Sequence, residues 1–495
     1  MKSIEPNRRP PFNKLASPIA LAVAALLPLA SFPVRADEMS DLKEQVQKLN
    51  KRLSDLEAKE AAAKAAAPAA AAAAPAPAAK PVPVALTTDV NGLPMDPSAP
   101  SVLQYTNSST NLRLYGIIEP TLSRTNHQTS NGGTATGFQV SWFSGNRLGF
   151  DAMHALKLGE ELGLPDLKVI AKLESEFELP TGNMDTANVF FNRDAWAGFY
   201  SEDLGKITFG RQNTLTRDFT QNWGDAYGTP EVTLKEGGYS NVNNFKQFIF
   251  YSAAATGTRV NSGIEWKKKW DKHWVTGLGY AFGSGGNGGS GDVGSGGSVP
   301  GDFTRGTSQA VSVAYNGLAL GGPVLNLNAS YDHANVADLA HRSELFGGNM
   351  LYGPFRLNAG VVHYTAQQGV DGSAGERTDN SWTISGSYRP DKTEFALGYV
   401  RFKGDHAGFN GAGNIINPMG NTSHVTTVAD GAKGTVFGSI MYHADSQTDF
   451  YVAADHFNVS GGWVLGDALG NGNHYGVGHA YSGDLELATG VRFKF

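Results

Sequence analysis

The 495-residue chain contains no cysteine, which excludes a disulfide framework, a thiolate metal site and a cysteine nucleophile. After residue 36 there is no uninterrupted apolar run of about eighteen residues, so the mature chain carries no helical membrane span. Charge is scarce: Asp, Glu, Lys and Arg make up 17% of the residues and the net charge is −6, which argues against a nucleic-acid partner. Twelve histidines are present, but none forms an HExxH pattern, and no GxSxG elbow occurs, so neither metal-dependent nor serine hydrolysis has a motif here. The Gly/Ser tract 283–301 lacks the Lys-Ser/Thr and following helix of a phosphate loop and reads as a flexible external loop. No cofactor, no metal and no enzymatic activity are expected.

What is abundant is alternation. From Leu167 to Leu179 one parity reads Leu167, Val169, Ala171, Leu173, Ser175, Phe177, Leu179, and the other Lys168, Ile170, Lys172, Glu174, Glu176, Glu178. Successive strand side chains point to opposite faces, so this stretch offers one nearly apolar face and one charged face. A soluble sandwich accommodates such a strand as well as a membrane barrel does. Repetition of the pattern to the last residue, without a strong helical period between the pieces, favours a closed barrel with lipid outside and water inside.

The chain opens with Lys2, Arg8, Arg9 and Lys14, an apolar stretch from Ala16 to Ala30, and Val34-Arg35-Ala36, the layout of a signal peptide over residues 1–36. In residues 37–60, Met39, Leu42, Val46, Leu49, Leu53 and Leu56 follow 3, 4, 3, 4, 3 spacing and fill the a and d positions of a coiled coil. A helix this short with so narrow a stripe is marginal alone, so the stripe is expected to meet copies of itself; the alternative is an amphipathic helix lying on the barrel. The seam permits a trimer without specifying one. Residues 61–110 form an Ala/Pro-rich spacer and an unstructured lead-in.

Strand-length alternating pieces begin at Asn111. Arg113, Tyr115, Glu119, Thr121 and Ser123 share one face there. Fifteen more candidates follow: 138–153, 166–179, 190–201, 205–213, 259–268, 272–283, 306–317, 322–334, 342–351, 354–366, 379–389, 392–404, 433–444, 447–460 and 484–495. The expectation is an all-β, sixteen-stranded antiparallel transmembrane barrel over 111–495, preceded by an α-helical coiled-coil stalk. Short connections such as Tyr352-Gly353 and Asp445-Ser446 alternate with long polar ones such as 405–432 and 461–483. In an outer-membrane barrel the short turns face the periplasm, and an even strand count returns both ends there, which puts the stalk in the periplasm. Trp142, Tyr200, Trp266, Tyr280, Tyr399 and Tyr442 fall near strand ends, where aromatic girdles sit.

Six short motifs in order are Leu114-Tyr115-Gly116, Arg147-Leu148-Gly149-Phe150, Leu173-Glu174-Ser175 with Phe177, Arg193 with Ala195 and Gly198, Gly210-Arg211-Gln212, and Arg259 to Trp266. With an alternating last strand ending on Phe495, they resemble the Gram-negative trimeric general-diffusion porins. The resemblance covers about residues 111–495, and the stalk and spacer are additional to the common form. It implies a homotrimer in outer-membrane lipid, a terminal Phe495 read by the barrel assembly machinery, and small hydrophilic solutes as cargo.

The resemblance also implies that the third loop, about 213–258, folds into the barrel and sets acidic side chains against an arginine ladder. The ladder would be Arg147, Arg193 and Arg259, with Glu174 as a wall carboxylate. The first-strand lysine of the enteric type falls on Ile117, and Arg113 is the candidate replacement. Asp225 and Glu231 are the leading acidic candidates in the loop, followed by Asp218 and Glu236. Independently of the family, a cationic wall opposite carboxylates makes a transverse field that orients dipolar solutes and penalises apolar ones. The functional expectation is passive diffusion. Two alternatives stand: a selective channel for small anions such as dicarboxylates, and a structural tether in which the barrel anchors a stalk reaching peptidoglycan.

Overall fold

The computed structural model describes Lys51 and residues 103–127, 133–139, 141–143, 145–223, 259–282, 306–336, 338–409, 422–425, 427–463 and 483–495. The signal peptide, the coiled-coil residues Met39, Leu42, Val46, Leu49, Leu53 and Leu56, and the loop acids Asp225, Glu231 and Glu236 lie outside the described residues. Of two compact units, Met1–Pro81 contributes only Lys51 to the described residues, where it is helical, and Val82–Phe495 contains all the described β-structure.

Among the described residues, nineteen strands make one sheet. They are β1 (Leu103–Thr106), β2 (Thr110–Ile118), β3 (Thr121–Thr125), β4 (Ala135–Gln139), β5 (Asn146–Ala155), β6 (Lys168–Phe177), β7 (Asp194–Ser201), β8 (Gly205–Asn213), β9 (Arg259–Lys269), β10 (Trp274–Ala281), β11 (Ser308–Ala319), β12 (Val324–Val336), β13 (Leu339–Tyr352), β14 (Phe355–Gln368), β15 (Gly375–Tyr388), β16 (Thr393–Phe409), β17 (Thr427–His443), β18 (Thr448–Gly461) and β19 (Gly483–Lys494). Every pairing is antiparallel. Two staves are broken: β2 and β3 form the first, interrupted at Glu119-Pro120, and β4 and β5 form the second. Sixteen staves therefore close the barrel, with β19 pairing to β3 at Glu486–Thr125 and to β2 at Phe493–Ile118. Closure leaves no stave with an open edge, the condition for burying a sheet in hydrocarbon.

Proline explains the first interruption, because Pro120 has no N–H to give to a ladder. The second stave was expected to run unbroken through 138–153; instead Ser141, Trp142 and Phe143 turn away from the ladder and are buried inside. The lead-in, expected to be irregular, forms β1 and pairs with β2 from Leu103–Leu114 to Thr106–Asn111.

Burial alternates along many staves as the sequence pattern requires, most cleanly on β14 and β18. On β6, Ile170, Glu174 and Glu176 are buried on the inner face, while Val169, Ala171 and Leu173 face out. On β16 and β17 the exposed residues include Phe395, Leu397, Val436 and Ile440, an apolar surface suited to lipid. Aromatic side chains gather near the end that carries the C-terminal Phe495: Trp266 and Trp270 in edge contact at 6.1 Å, and Phe355 stacked on Tyr388 at 4.6 Å. Trp266 and Tyr442 belong there as expected. Trp142 does not, and Tyr200 packs on the inner face beside Met153, Ile170 and Trp196.

Two of the tight turns at that end use the same device. Asp271 Oδ1 accepts the N–H of His273 and of Trp274, both at 2.7 Å, and Asp445 Oδ1 accepts those of Gln447 at 2.8 Å and Thr448 at 2.7 Å. Each carboxylate satisfies two donors that the turn leaves outside the ladder.

Candidate functional site

The charged parity of β6 faces the lumen, and its neighbours complete a charged wall from β2 to β9. Antiparallel register sets Arg147 of β5 opposite Glu176, Gly149 opposite Glu174, and Asp151 opposite Lys172. Glu174 sits at the centre, 2% exposed. Its carboxylate takes Arg193 Nε at 2.5 Å and Tyr115 Oη at 2.7 Å, with Lys172 Nζ at 3.5 Å and Arg147 Nη1 at 3.8 Å. Such crowding around one carboxylate is favourable because buried charge requires compensation and charge-assisted hydrogen bonds are the strong kind.

Arg193 lies one residue before β7 rather than on a strand, as the motif reading had it. Its backbone N–H donates to Glu174 O at 3.2 Å, and its guanidinium reaches both Glu174 and Glu176. Asn192 fixes the approach, accepting Glu176 N–H through Oδ1 at 2.8 Å. The planar fork of arginine lets one side chain clamp two carboxylates.

The described start of the third loop, residues 214–223, lies inside the barrel. Whereas a first short helix, α1 (Leu158–Glu161), lies in the turn between β5 and β6, this segment forms helix α2 (Leu215–Trp223), whose Leu215 and Phe219, four residues apart, are buried with Ala314 against β10 and β11. The wall there is cut to receive it: a Cβ on Gly277 would lie 2.5 Å from Leu215 Cδ1 and 3.1 Å from Phe219 Cε2. Thr216 donates to Asp332 of β12, securing the helix to the wall.

Helix α2 carries Arg217 to the arginines rather than an acid. Arg217, Arg193 and Arg259 are all buried and lie within electrostatic range of one another, with Asp194 and Glu174 nearby. Asp218, one of the second-ranked acidic candidates, is inside the lumen but pairs with Lys267 of β9, which also bonds Glu265 at 2.8 Å. Thus Arg147, Arg193 and Arg259 come together with Glu174, and Arg113 does not join them. Arg113 is paired with Asp151 at 2.5 Å, two rungs nearer the terminus-bearing end.

Arg217, Lys172, Glu176 and Lys267 were missed as site residues. The parity of β6 already marked Lys172 and Glu176, and the Leu215/Phe219 spacing marked a docked helix that would present its neighbour Arg217. A second missed feature is the pair of N–H groups of Trp142 and Phe143, both donated to Glu119 Oε1 at 2.8 Å inside the barrel.

At the last strand, Phe495 and Gly116 exchange backbone hydrogen bonds of 3.0 and 2.8 Å. Glycine is required there, because a Cβ would lie 2.4 Å from the Phe495 ring and 2.7 Å from Arg147 O.

Residues 61–462 match a family model described as Gram-negative porin. No curated protein matches the sequence. Among solved structures, the chain is similar to an anion-selective porin from Comamonas acidovorans, with 18% identity and a TM-score of 0.54, over 78% of this chain and 100% of that one. It is also similar to OmpF of Salmonella typhi in complex with daunomycin, with 14% identity and a TM-score of 0.50, over 79% and 100%. At these identities the structural likeness speaks to fold.

Proposed function

The chain belongs to the Gram-negative porin family, and from that premise we propose that its charged inner wall is the constriction of a passive channel for small hydrophilic solutes and ions. The barrel resides in the outer membrane. The observation that carries the site assignment is Arg193 clamped between Glu174 and Glu176, with Arg147, Arg217 and Arg259 around it. Fixed charges of both signs on rigid staves keep water ordered across the passage, so a polar solute exchanges one set of hydrogen bonds for another while an apolar one cannot.

Planar-bilayer recording tests the reading. Steady, ohmic single-channel conductance supports it, and a barrel that inserts without conducting contradicts it.

A second reading, preference for small anions such as dicarboxylates, is favoured by the recruitment of Arg217. Four arginines and Lys172 then stand around Glu174, Glu176 and Asp194, and a locally positive cluster of this kind draws anions. The reversal potential in a salt gradient separates this reading from unselective diffusion.

The protein is read as a homotrimer, with residues 37–60 as a trimeric periplasmic stalk after removal of 1–36. The stalk and spacer would reach towards peptidoglycan, and Phe495 would be the residue read by the assembly machinery. Deleting 37–84 and sizing the native oligomer tests the stalk: loss of the trimer supports a role in assembly, and an unchanged trimer makes the helix accessory.

A further inference from the structure

Midway along the second stave, Ser141, Trp142 and Phe143 leave the wall and enter the lumen. Their exposures are 0%, 1% and 0%, so they pack against something other than water. Phe143 meets Tyr451 of β18 edge-on at 4.8 Å, and Trp142 and Phe143 belong to one apolar cluster with inner-face residues of β16 to β18 such as Val400, Phe437 and Phe457. On the other side of the same in-turn, a Cβ on Gly145 would fall 1.8 Å from Glu176 Oε1, and Gly145 O accepts Arg147 Nε at 3.1 Å. The in-turn is thus seated between the charged wall and an apolar cluster on the inner face across from it, where buried Asp455, Glu486 and Arg492 also lie.

A reciprocal clasp holds it. Glu119, at the break of the first stave, takes the N–H groups of both Trp142 and Phe143 on Oε1, and Asn146 Oδ1 takes the N–H of Glu119 at 2.6 Å. Tyr451 Oη adds a third hydrogen bond to Glu119 Oε1 at 3.1 Å, and Arg492 Nε approaches Glu119 Oε2 at 3.6 Å. A buried carboxylate is costly unless several donors surround it. That cost is tolerated at the one place where two stave interruptions face each other.

We propose that this aromatic in-turn is a second constricting element, separate from the third loop, which fills part of the lumen on the β16–β19 side and narrows the water column against the charged wall. Burying Trp142 and Phe143 against the apolar residues of that side holds the element in place. Glu119 acts as a positioning residue: it holds the backbone of the wedge and does not touch the solute. The inference rests on the channel reading.

The full-length chain is reconstituted in planar bilayers with Trp142→Gly/Phe143→Gly, with Glu119→Ala, and with Glu119→Gln, which keeps an acceptor oxygen for both N–H groups. Since current follows open cross-section, the wedge variant and Glu119→Ala are expected to conduct roughly two-fold more, with Glu119→Gln near the unmodified level. Folded variants of unchanged conductance overturn the proposal. An unmodified barrel that fails to conduct contradicts the channel reading instead. Should the glycine variant not fold, Trp142→Cys decides in a chain otherwise free of cysteine. Protection from a charged, water-soluble thiol reagent supports the wedge, and labelling as fast as that of Arg147→Cys overturns it.

Discussion

Arg193 donates its Nε to Glu174 Oε1 at 2.5 Å while its backbone N–H bonds Glu174 O at 3.2 Å. Side chain and main chain of one residue are thereby tied to one partner. A cation is fixed at the mouth of β7 without depending on a strand to aim it. Replacing Arg193 with Ala leaves Glu174 and Glu176 with less compensation and shifts the lumen towards negative charge. The expected result is a reversal potential displaced towards cation preference. Because breaking a buried pair costs about 3–5 kcal/mol, a lower unfolding temperature accompanies it. Arg193→Lys keeps the charge but not the fork, and should shift stability more than selectivity.

Helix α2 docks only because β10 is bare at Gly277. Gly277→Val puts new carbon into the space of Leu215 and Phe219, and the helix must move off the wall. Overpacking of this kind costs about 1–3 kcal/mol. Noisier, larger single-channel currents are expected from a barrel that still folds, and quiet currents of unmodified size would show that α2 does not narrow the passage.

Closure of the barrel depends on the contact of Phe495 with Gly116. Gly116→Val forces the ring or the neighbouring Arg147 carbonyl to shift. Deleting Phe495 removes two backbone hydrogen bonds with it. Both changes should reduce the fraction of heat-modifiable, folded barrel recovered from outer membranes, the deletion more severely. Equal recovery would separate the terminal residue from assembly.

The Asp271 and Asp445 turns carry a pH dependence. The N–H of Trp274, with that of His273, holds the Asp271 carboxyl below the usual range, and the N–H of Gln447, with that of Thr448, does the same for Asp445. A folded pKa lowered in this way adds stability that is present above the unfolded value, near ~3.9, and is lost as pH falls through the folded value. Asp271→Ala/Asp445→Ala should lower the unfolding temperature at neutral pH and flatten its decline in acid. A decline identical to that of the unmodified barrel would remove these turns from the account.

The stave count and the inward parity of β6 were legible because a period of two is a local signal, and each residue carries it independently of its partners; the grouping of Arg147, Arg193 and Arg259 with Glu174 came from the family resemblance and not from the period, and Arg193 sits just off the strand. The in-turn at Trp142 was not legible. Its cause is a contact with Glu119, twenty-three residues earlier, and alternation across 138–153 hides a chain that leaves the sheet and returns. The same limit applied to Asp218 and Arg217. Adjacent on a helix, they point to different partners, and which of them meets the arginines is decided by how Leu215 and Phe219 seat on β10 and β11. Strand β1 was missed because its partner register with β2 leaves no pattern of its own in four residues.

The most direct test of the two-faced wall is a cysteine scan of β6 in this cysteine-free chain. Lys172→Cys and Glu174→Cys are treated with a charged thiol reagent during bilayer recording, beside Ala171→Cys and Leu173→Cys. The account predicts a stepwise fall in current for the first pair and none for the second. Block at Ala171 and Leu173, or the same response at all four positions, would contradict it.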